Sequence, residues 1–142
     1  MDKKEQDLNA TQEGGCLCGK IRYRVKGPPL HTEYCHCSMC RRAGGAPVVA
    51  WADYPHDRLT WLQGEPTLYR SSPSAQRGFC PTCGSSLLFQ WNGTDFLSIT
   101  IGTLDHPERI APQGHIYHAD RVPWFQIADD LPRHAVSPSK KD

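Results

Sequence analysis

The chain is 142 residues long, with 16 Lys and Arg against 15 Asp and Glu and a net charge of +1 at pH 7. That length makes one ordinary domain able to bury its own core, and the charge balance argues against a protein whose main work is binding nucleic acid or anionic lipid. No apolar run approaches the roughly 20 residues of a membrane helix, and the first thirteen residues are too polar for a signal peptide, so a cytoplasmic protein is expected.

Residues 1–13 carry a single leucine among polar side chains and read as a flexible arm. Ile21, Tyr23 and Val25 then alternate with Arg22 and Arg24, the pattern of a half-buried strand. The run 30–43 is the longest interior stretch without Gly or Pro, and a short helical turn is expected near residues 38–42. Further short strands are expected at 48–51, 59–62, 67–69 and 76–79, and at 87–91, where Leu87, Phe89 and Trp91 alternate. Asn92-Gly93 reads as a hairpin turn into a strand carrying Leu97, Ile99 and Ile101. A last short strand is expected at 115–117, and residues 133–142 read as a flexible tail. Twelve glycines and twelve prolines leave long helices nowhere to sit. The expected fold is a single, mainly antiparallel β domain over residues 14–132, with short helical turns only and no internal repeat.

Seven cysteines are too many for an ordinary cytosolic chain and too few for a disulfide scaffold, and an odd number cannot pair off within one chain. Under cytosolic reduction, clustered thiols read first as metal ligands. They fall into three groups: Cys16 and Cys18; Cys35, Cys37 and Cys40; Cys80 and Cys83. Zinc takes four ligands in a tetrahedron. A Cys-x-x-Cys turn supplies two, with Gly84 giving its backbone the freedom to turn, and Cys16 with Cys18 can supply two more. That division leaves Cys35, Cys37 and Cys40 as three corners with an open fourth, the way catalytic zinc is usually held. Spacing also permits Cys37 and Cys40 to join Cys80 and Cys83, leaving Cys35 with the first pair. A redox dithiol at Cys80-Pro-Thr-Cys83 is disfavoured, because a strand rather than a helix follows it. His31-Thr-Glu33 before a Cys-x-x-Cys resembles the zinc-deaminase signature, but neither Cys-x-x-Cys here is preceded by the proline that signature requires.

Zinc held by three thiolates is net negative and a weak Lewis acid, better suited to binding a soft substrate thiol than to activating water. Coordination deprotonates such a thiol and makes it a nucleophile toward a nearby electrophile. A positive neighbour would offset the extra charge, and Arg41 and Arg42, directly after Cys40, are the candidates for gripping a substrate carboxylate. His115 and His118 are candidates for the surroundings of the open position, while His36, between two ligands, is expected to point away from it. Tyr117, Trp124 and Phe125 are candidates for lining a pocket.

Gly14-Gly15-Cys16-Leu17-Cys18-Gly19, Cys35-His36-Cys37-Ser38-Met39-Cys40-Arg41-Arg42 with Gly44-Gly45-Ala46-Pro47, and Gly78-Phe79-Cys80-Pro81-Thr82-Cys83-Gly84-Ser85 closely resemble the motifs of the glutathione-dependent formaldehyde-activating enzyme family, which includes centromere protein V. The segment Trp124–Leu131 also resembles one near the end of bacterial members. The resemblance implies a small folded-sheet β structure with two zinc ions per chain. It implies a structural zinc on Cys16, Cys18, Cys80 and Cys83, and a second, more labile one on Cys35, Cys37 and Cys40, where the substrate thiol arrives. The activity it implies is the joining of glutathione with formaldehyde, a carbon–sulfur lyase reaction run in reverse. The expected partners are therefore a small thiol and an aldehyde or their adduct, with neither nucleic acid nor membrane. The competing reading is a non-catalytic zinc module that binds another protein, with both metals serving the fold alone.

Overall fold

The computed structural model describes residues 7–137. In chain order it contains β1 (Thr11–Gly15), β2 (Arg22–Lys26), β3 (His31–Cys35), α1 (Ser38–Gly44), β4 (Val49–Pro55), β5 (Leu59–Gln63), β6 (Thr67–Ser72), β7 (Ala75–Phe79), β8 (Ser86–Trp91), β9 (Phe96–Thr100) and β10 (His115–Ile116). Single 3-10 turns occupy His56–Arg58, Ile101–Thr103, Pro107–Arg109 and His118–Asp120. One sheet has the order β1-β2-β5 and the other β10-β3-β4-β9-β8-β7-β6. Among the described residues, every pairing between these strands is antiparallel except that of β10 with β3. The mainly β fold with short helical turns is therefore as expected. No helix among the described residues is long and apolar enough to cross a membrane.

The expected helical turn is α1, which stops where Gly45 adopts a left-handed φ of 62° and returns its N–H to the carbonyl of Arg41. Two strands escape the sequence pattern. β1 reads TQEGG, and its Gly14 is required by close approach, since a Cβ there would lie 2.6 Å from the Tyr23 hydroxyl. β3 reads HTEYC, and its polarity follows from where it faces: Glu33 and Cys35, alternate residues on one side of the strand, both line a cavity. Because Thr11, Gln12 and Glu13 pair with Lys26, Val25 and Arg24, the ordered domain begins ahead of residue 14. At the other end, Arg133 bridges to His115 and the His134 N–H donates to the His115 carbonyl at 2.9 Å, so these two tail residues are also tied down. Residues 1–6 and 138–142 of the expected arm and tail lie outside the described residues.

The core forms between the two sheets. β2 turns Tyr23 and Val25 inward, both fully buried, while Arg24 stays exposed and pairs with Glu13. β4 contributes Ala52 and Tyr54, and β9 contributes Leu97 and Ile99. Burying aliphatic side chains such as Val25, Leu97 and Ile99 contributes about 1.5–3 kcal/mol each. The opposite faces of β4 and β9 are not solvated, because Trp51, Asp53, Ser98 and Thr100 are buried there as well. The large sheet is thus covered on both sides: the small sheet packs on one, and the other carries the site.

Two buried tyrosines differ in their polar ends. The Tyr23 hydroxyl bonds Thr103 Oγ1 at 2.8 Å, whereas the Tyr54 hydroxyl, equally buried, has no partner among the described residues. Tyr54→Phe is therefore expected to be neutral or stabilising, and Tyr23→Phe to cost about 1 kcal/mol, both read from urea unfolding midpoints. Equal losses in the two variants would contradict this difference.

Candidate functional site

Cys16 and Cys18 project from the turn after β1, and Cys80 and Cys83 from the turn after β7. Each turn is closed by N–H groups directed at sulfur: Ile21 N–H donates to Cys16 Sγ at 3.3 Å, and Cys83 N–H to Cys80 Sγ at 3.5 Å. Gly84, at a left-handed φ of 78°, returns its N–H to the Cys80 carbonyl at 2.8 Å, the backbone freedom expected of it. Ser85 ties the turns together, accepting from Leu17 N–H at 2.9 Å and lying 3.2 Å from Cys83 Sγ. Hydrogen bonding from Ser85 lowers the Cys83 thiol to about 5. The four sulfurs lie within 4.8 Å of one another, with Cys16–Cys18 at 3.6 Å and Cys18–Cys80 at 3.8 Å. A tetrahedron with metal–sulfur bonds of about 2.3 Å has sulfurs about 3.8 Å apart, so this set fits a metal such as zinc.

Cys35 ends β3, Cys37 caps α1, and Cys40 lies in the helix's first turn. Their sulfurs also lie within 4.8 Å of one another and apart from the first four, so the alternative partition of the cysteines does not occur. All seven thiols are free. Hydrogen bonds from Cys35 and Cys40, and from the N–H groups of Cys40 and Met39, hold Cys37 far below the ordinary thiol range, while the same crowding pushes Cys35 up. Cys40 Sγ receives the guanidinium of Arg77 on β7 at 3.6 and 3.7 Å. Arg77 is only 8% exposed, its charge lies 4.9 Å above the Phe89 ring, and its Nε has no partner among the described residues.

The trio opens on a cavity of about 900 Å³. Its walls include Trp51, Phe89 and Trp91, packed edge to face, together with Arg77 and a carboxyl pair, Glu33 and Asp53. Burial, reinforced by the charge of Asp53, raises Glu33 to about 8. Burial raises Asp53 to about 6, against a hydrogen bond from Ser98 Oγ at 2.6 Å.

The structure distributes the other expected site residues unevenly. Arg41 and Arg42 do not line the cavity; they lie in the last turn of α1, where cations suit the helix dipole. The basic group at the trio is Arg77 instead, brought there by sheet pairing. His118 is also outside the cavity lining, its ring edge-on to His36 at 5.1 Å and to His115 at 5.7 Å. His36 points away from the sulfurs, as expected, and its Nε2 lies 2.8 Å from His115 Nδ1. Burial lowers His36 to about 4. His115 is likewise turned inward, with Nε2 3.0 Å from Asp129 Oδ2. Against its own desolvation, Asp129 is held at about 2 by His115, the Leu131 N–H and Arg133, so as a carboxylate it accepts from His115 Nε2–H. Of the aromatics expected at a pocket, Tyr117 lines it, whereas Trp124 is 74% exposed and Phe125 packs on Trp124. Tyr117 has a φ of 53°, the single non-glycine residue at positive φ among those described, so the cavity rim holds a strained backbone.

A two-layered β domain with one closed four-cysteine cluster, and one three-cysteine cluster open to a cavity, defines a class of small metal-site proteins. Residues 11–120 match the family described as glutathione-dependent formaldehyde-activating enzyme, and the chain belongs to that family. A Halomonas elongata protein provisionally named as a glutathione-dependent formaldehyde-activating enzyme is 29% identical over 129 residues, spanning 81% of this chain and 80% of its own length. A Schizosaccharomyces pombe protein described as an uncharacterized lyase is 32% identical over 120 residues, spanning 82% and 85%. A solved Rhodobacter sphaeroides structure shares the fold, with a TM-score of 0.55 at 21% identity, over 85% of this chain and 98% of that one.

Two measurements test this reading of the site. Cys83→Ala is expected to abolish cooperative thermal unfolding, and Cys37→Ala to leave it within a few degrees of the parent, in circular dichroism melts. The reverse ranking would exchange the roles of the clusters. Asp53 is neutral in both folded and unfolded chains below its ordinary value of 3.8 and disfavoured as an anion in the folded chain up to about 6. Its burial penalty therefore grows between those values and is constant above them. Relative to the parent, Asp53→Asn should gain about 2–3 kcal/mol between pH 4 and pH 7; titrations that do not sense Asp53 cancel in the difference, and relief of Glu33 from the Asp53 charge adds in the same direction. A pH-independent difference would contradict the raised value.

Proposed function

We propose that this protein is a zinc-dependent carbon–sulfur lyase-type enzyme, acting on the adduct of a glutathione-like thiol with an aldehyde. The observation that carries this reading is the cysteine trio facing a cavity large enough for a peptide-sized thiol. Its family membership and the lyase name of its yeast relative support it. Cys16, Cys18, Cys80 and Cys83 would hold a structural zinc, and Cys35, Cys37 and Cys40 a second. The second zinc would supply a position for a soft fourth ligand and lower the pKa of a substrate thiol.

The remaining work belongs to the chain. Cys37 Sγ accepts the Cys40 N–H at 3.2 Å, which orients the trio without a fourth protein ligand. Arg77 offsets the negative charge that accumulates when a thiolate joins three others, and burial strengthens that effect. Trp51, Phe89 and Ile116 keep water from the sulfur while leaving room for a small carbonyl compound. In the adduct-forming direction, sulfur attacks the aldehyde carbon, the carbon–oxygen π bond breaks, and the proton lost by the thiol ends on the carbonyl oxygen. The lyase direction reverses each change. A protein-binding scaffold would have no use for a buried arginine at an incomplete ligand set, which favours the enzymatic reading.

The test is adduct formation and breakdown, followed by NMR over a panel of thiols and aldehydes, alongside zinc counts. The expected result is two zincs per chain, one removed by chelator without unfolding, and acceleration with at least one thiol–aldehyde pair. Cys37→Ala should abolish the acceleration, and Arg77→Met should reduce it by about 10–100-fold, as loss of an outer-sphere partner does. Two equally tenacious zincs with no acceleration for any pair would overturn the proposal in favour of the scaffold.

A further inference from the structure

The cavity holds charges of both signs that do not meet. Asp53 on β4 pairs with Ser98 on β9, Ser98 with Phe89 on β8, and Phe89 with Arg77 on β7. All four line the cavity, so one row of residues crosses its floor. With strands about 4.8 Å apart, the backbones at the two ends of the row stand about 14 Å apart. Arg77, more than nine-tenths buried, has an Nε without a partner and no carboxylate partner among the described residues. Asp53, 4% exposed, has a hydrogen bond from Ser98 and, across the β3–β4 pairing, faces His31, whose charge reaches it without a bonded contact; among the described residues neither it nor Glu33, one position further along that face of β3, forms an ion pair. Buried charges of opposite sign kept apart in one cavity are costly unless a ligand meets each end.

The two ends ask for different groups. Arg77 stands against Cys40 and suits the sulfur end of a ligand. The carboxyl end has no cation within the cavity, since His31 does not line it. Phe96, alternate to Ser98 on β9, and Trp91, alternate to Phe89 on β8, share that wall, and aromatic faces beside carboxylates favour an organic ammonium over a hydrated metal ion. Two carboxylates and a hydroxyl are also too few ligands for a calcium site.

We propose that Glu33 and Asp53 form a subsite for an ammonium group on the thiol substrate, so that the enzyme takes amino-thiols with sulfur at the cysteine trio and nitrogen at the carboxyl pair. This rests on the thiol-binding role proposed above. Glu33 and Cys35 are alternate residues on β3, about 7 Å apart along the strand. A substrate that meets both sites carries its ammonium and its sulfur on one chain long enough to span the two, as glutathione does.

Glutathione and N-acetylglutathione differ at that ammonium and serve as probes. Titration calorimetry of the zinc-loaded protein gives their affinities, and the thiolate-to-cobalt absorption of the cobalt-loaded protein reports whether sulfur reaches the trio. The expected result is that N-acetylation weakens binding to the parent about tenfold or more, with the cobalt signature present for glutathione. In Asp53→Asn and Glu33→Gln the two peptides should bind within about twofold of one another. Equal binding to the parent with the cobalt signature intact would overturn the ammonium subsite and leave the thiol site standing. Discrimination that survives in both variants would also overturn it. No cobalt signature with either peptide would overturn both proposals together.

Discussion

Four sulfurs drawn from turns 62 residues apart in sequence meet within 4.8 Å, and the architecture hangs on that meeting. The turn after β1 belongs to the small sheet and the turn after β7 to the large one. Joining them closes a long loop, which costs conformational entropy, and it gathers thiolates that repel one another. A dication offsets both costs, so the donor set itself argues for a metal. Ser85, bound to one turn and touching the other, shows the same convergence in ordinary hydrogen bonds.

With the sheets joined at that corner, the large sheet has two unlike faces. Along β4, Ala52 and Tyr54 fill the core while Trp51 and Asp53 face the cavity; along β9, Leu97 and Ile99 do the first and Phe96 and Ser98 the second. A strand's period of two thereby divides stability from chemistry residue by residue. It also explains why three of the buried polar groups, Arg77, Asp53 and Ser98, fall in one row across the cavity floor.

The trio's support comes from behind. The His36 ring turns away from the sulfurs into His115, and His115 is held by Asp129, which Arg133 also binds at 2.7 Å. The main chain reinforces this, with His36 N–H donating to the Ile116 carbonyl at 3.1 Å and His115 N–H to the Pro132 carbonyl at 2.8 Å. The segment after residue 120, short of regular structure, thus acts as a buttress for the cysteine loop. Tyr117, strained at the rim, is fixed between these anchored residues.

Much of this protein was legible before folding. The cysteine groups, their glycine-relieved turns, the helical turn at α1 and the alternating strands β2, β8 and β9 are local, and local spacing specifies them. β1 and β3 were not legible, because one depends on glycines admitting Tyr23 and the other carries polar residues that serve the cavity instead of a core. Spacing left two ways of dividing the seven sulfurs, and only the convergence of distant turns chose between them. Proximity in sequence pointed to Arg41 and Arg42, yet the cation at the trio is Arg77, 37 residues from Cys40 along the chain. Which charges share a cavity is set by strand order and register, and those are properties of the sheet as a whole rather than of any segment within it.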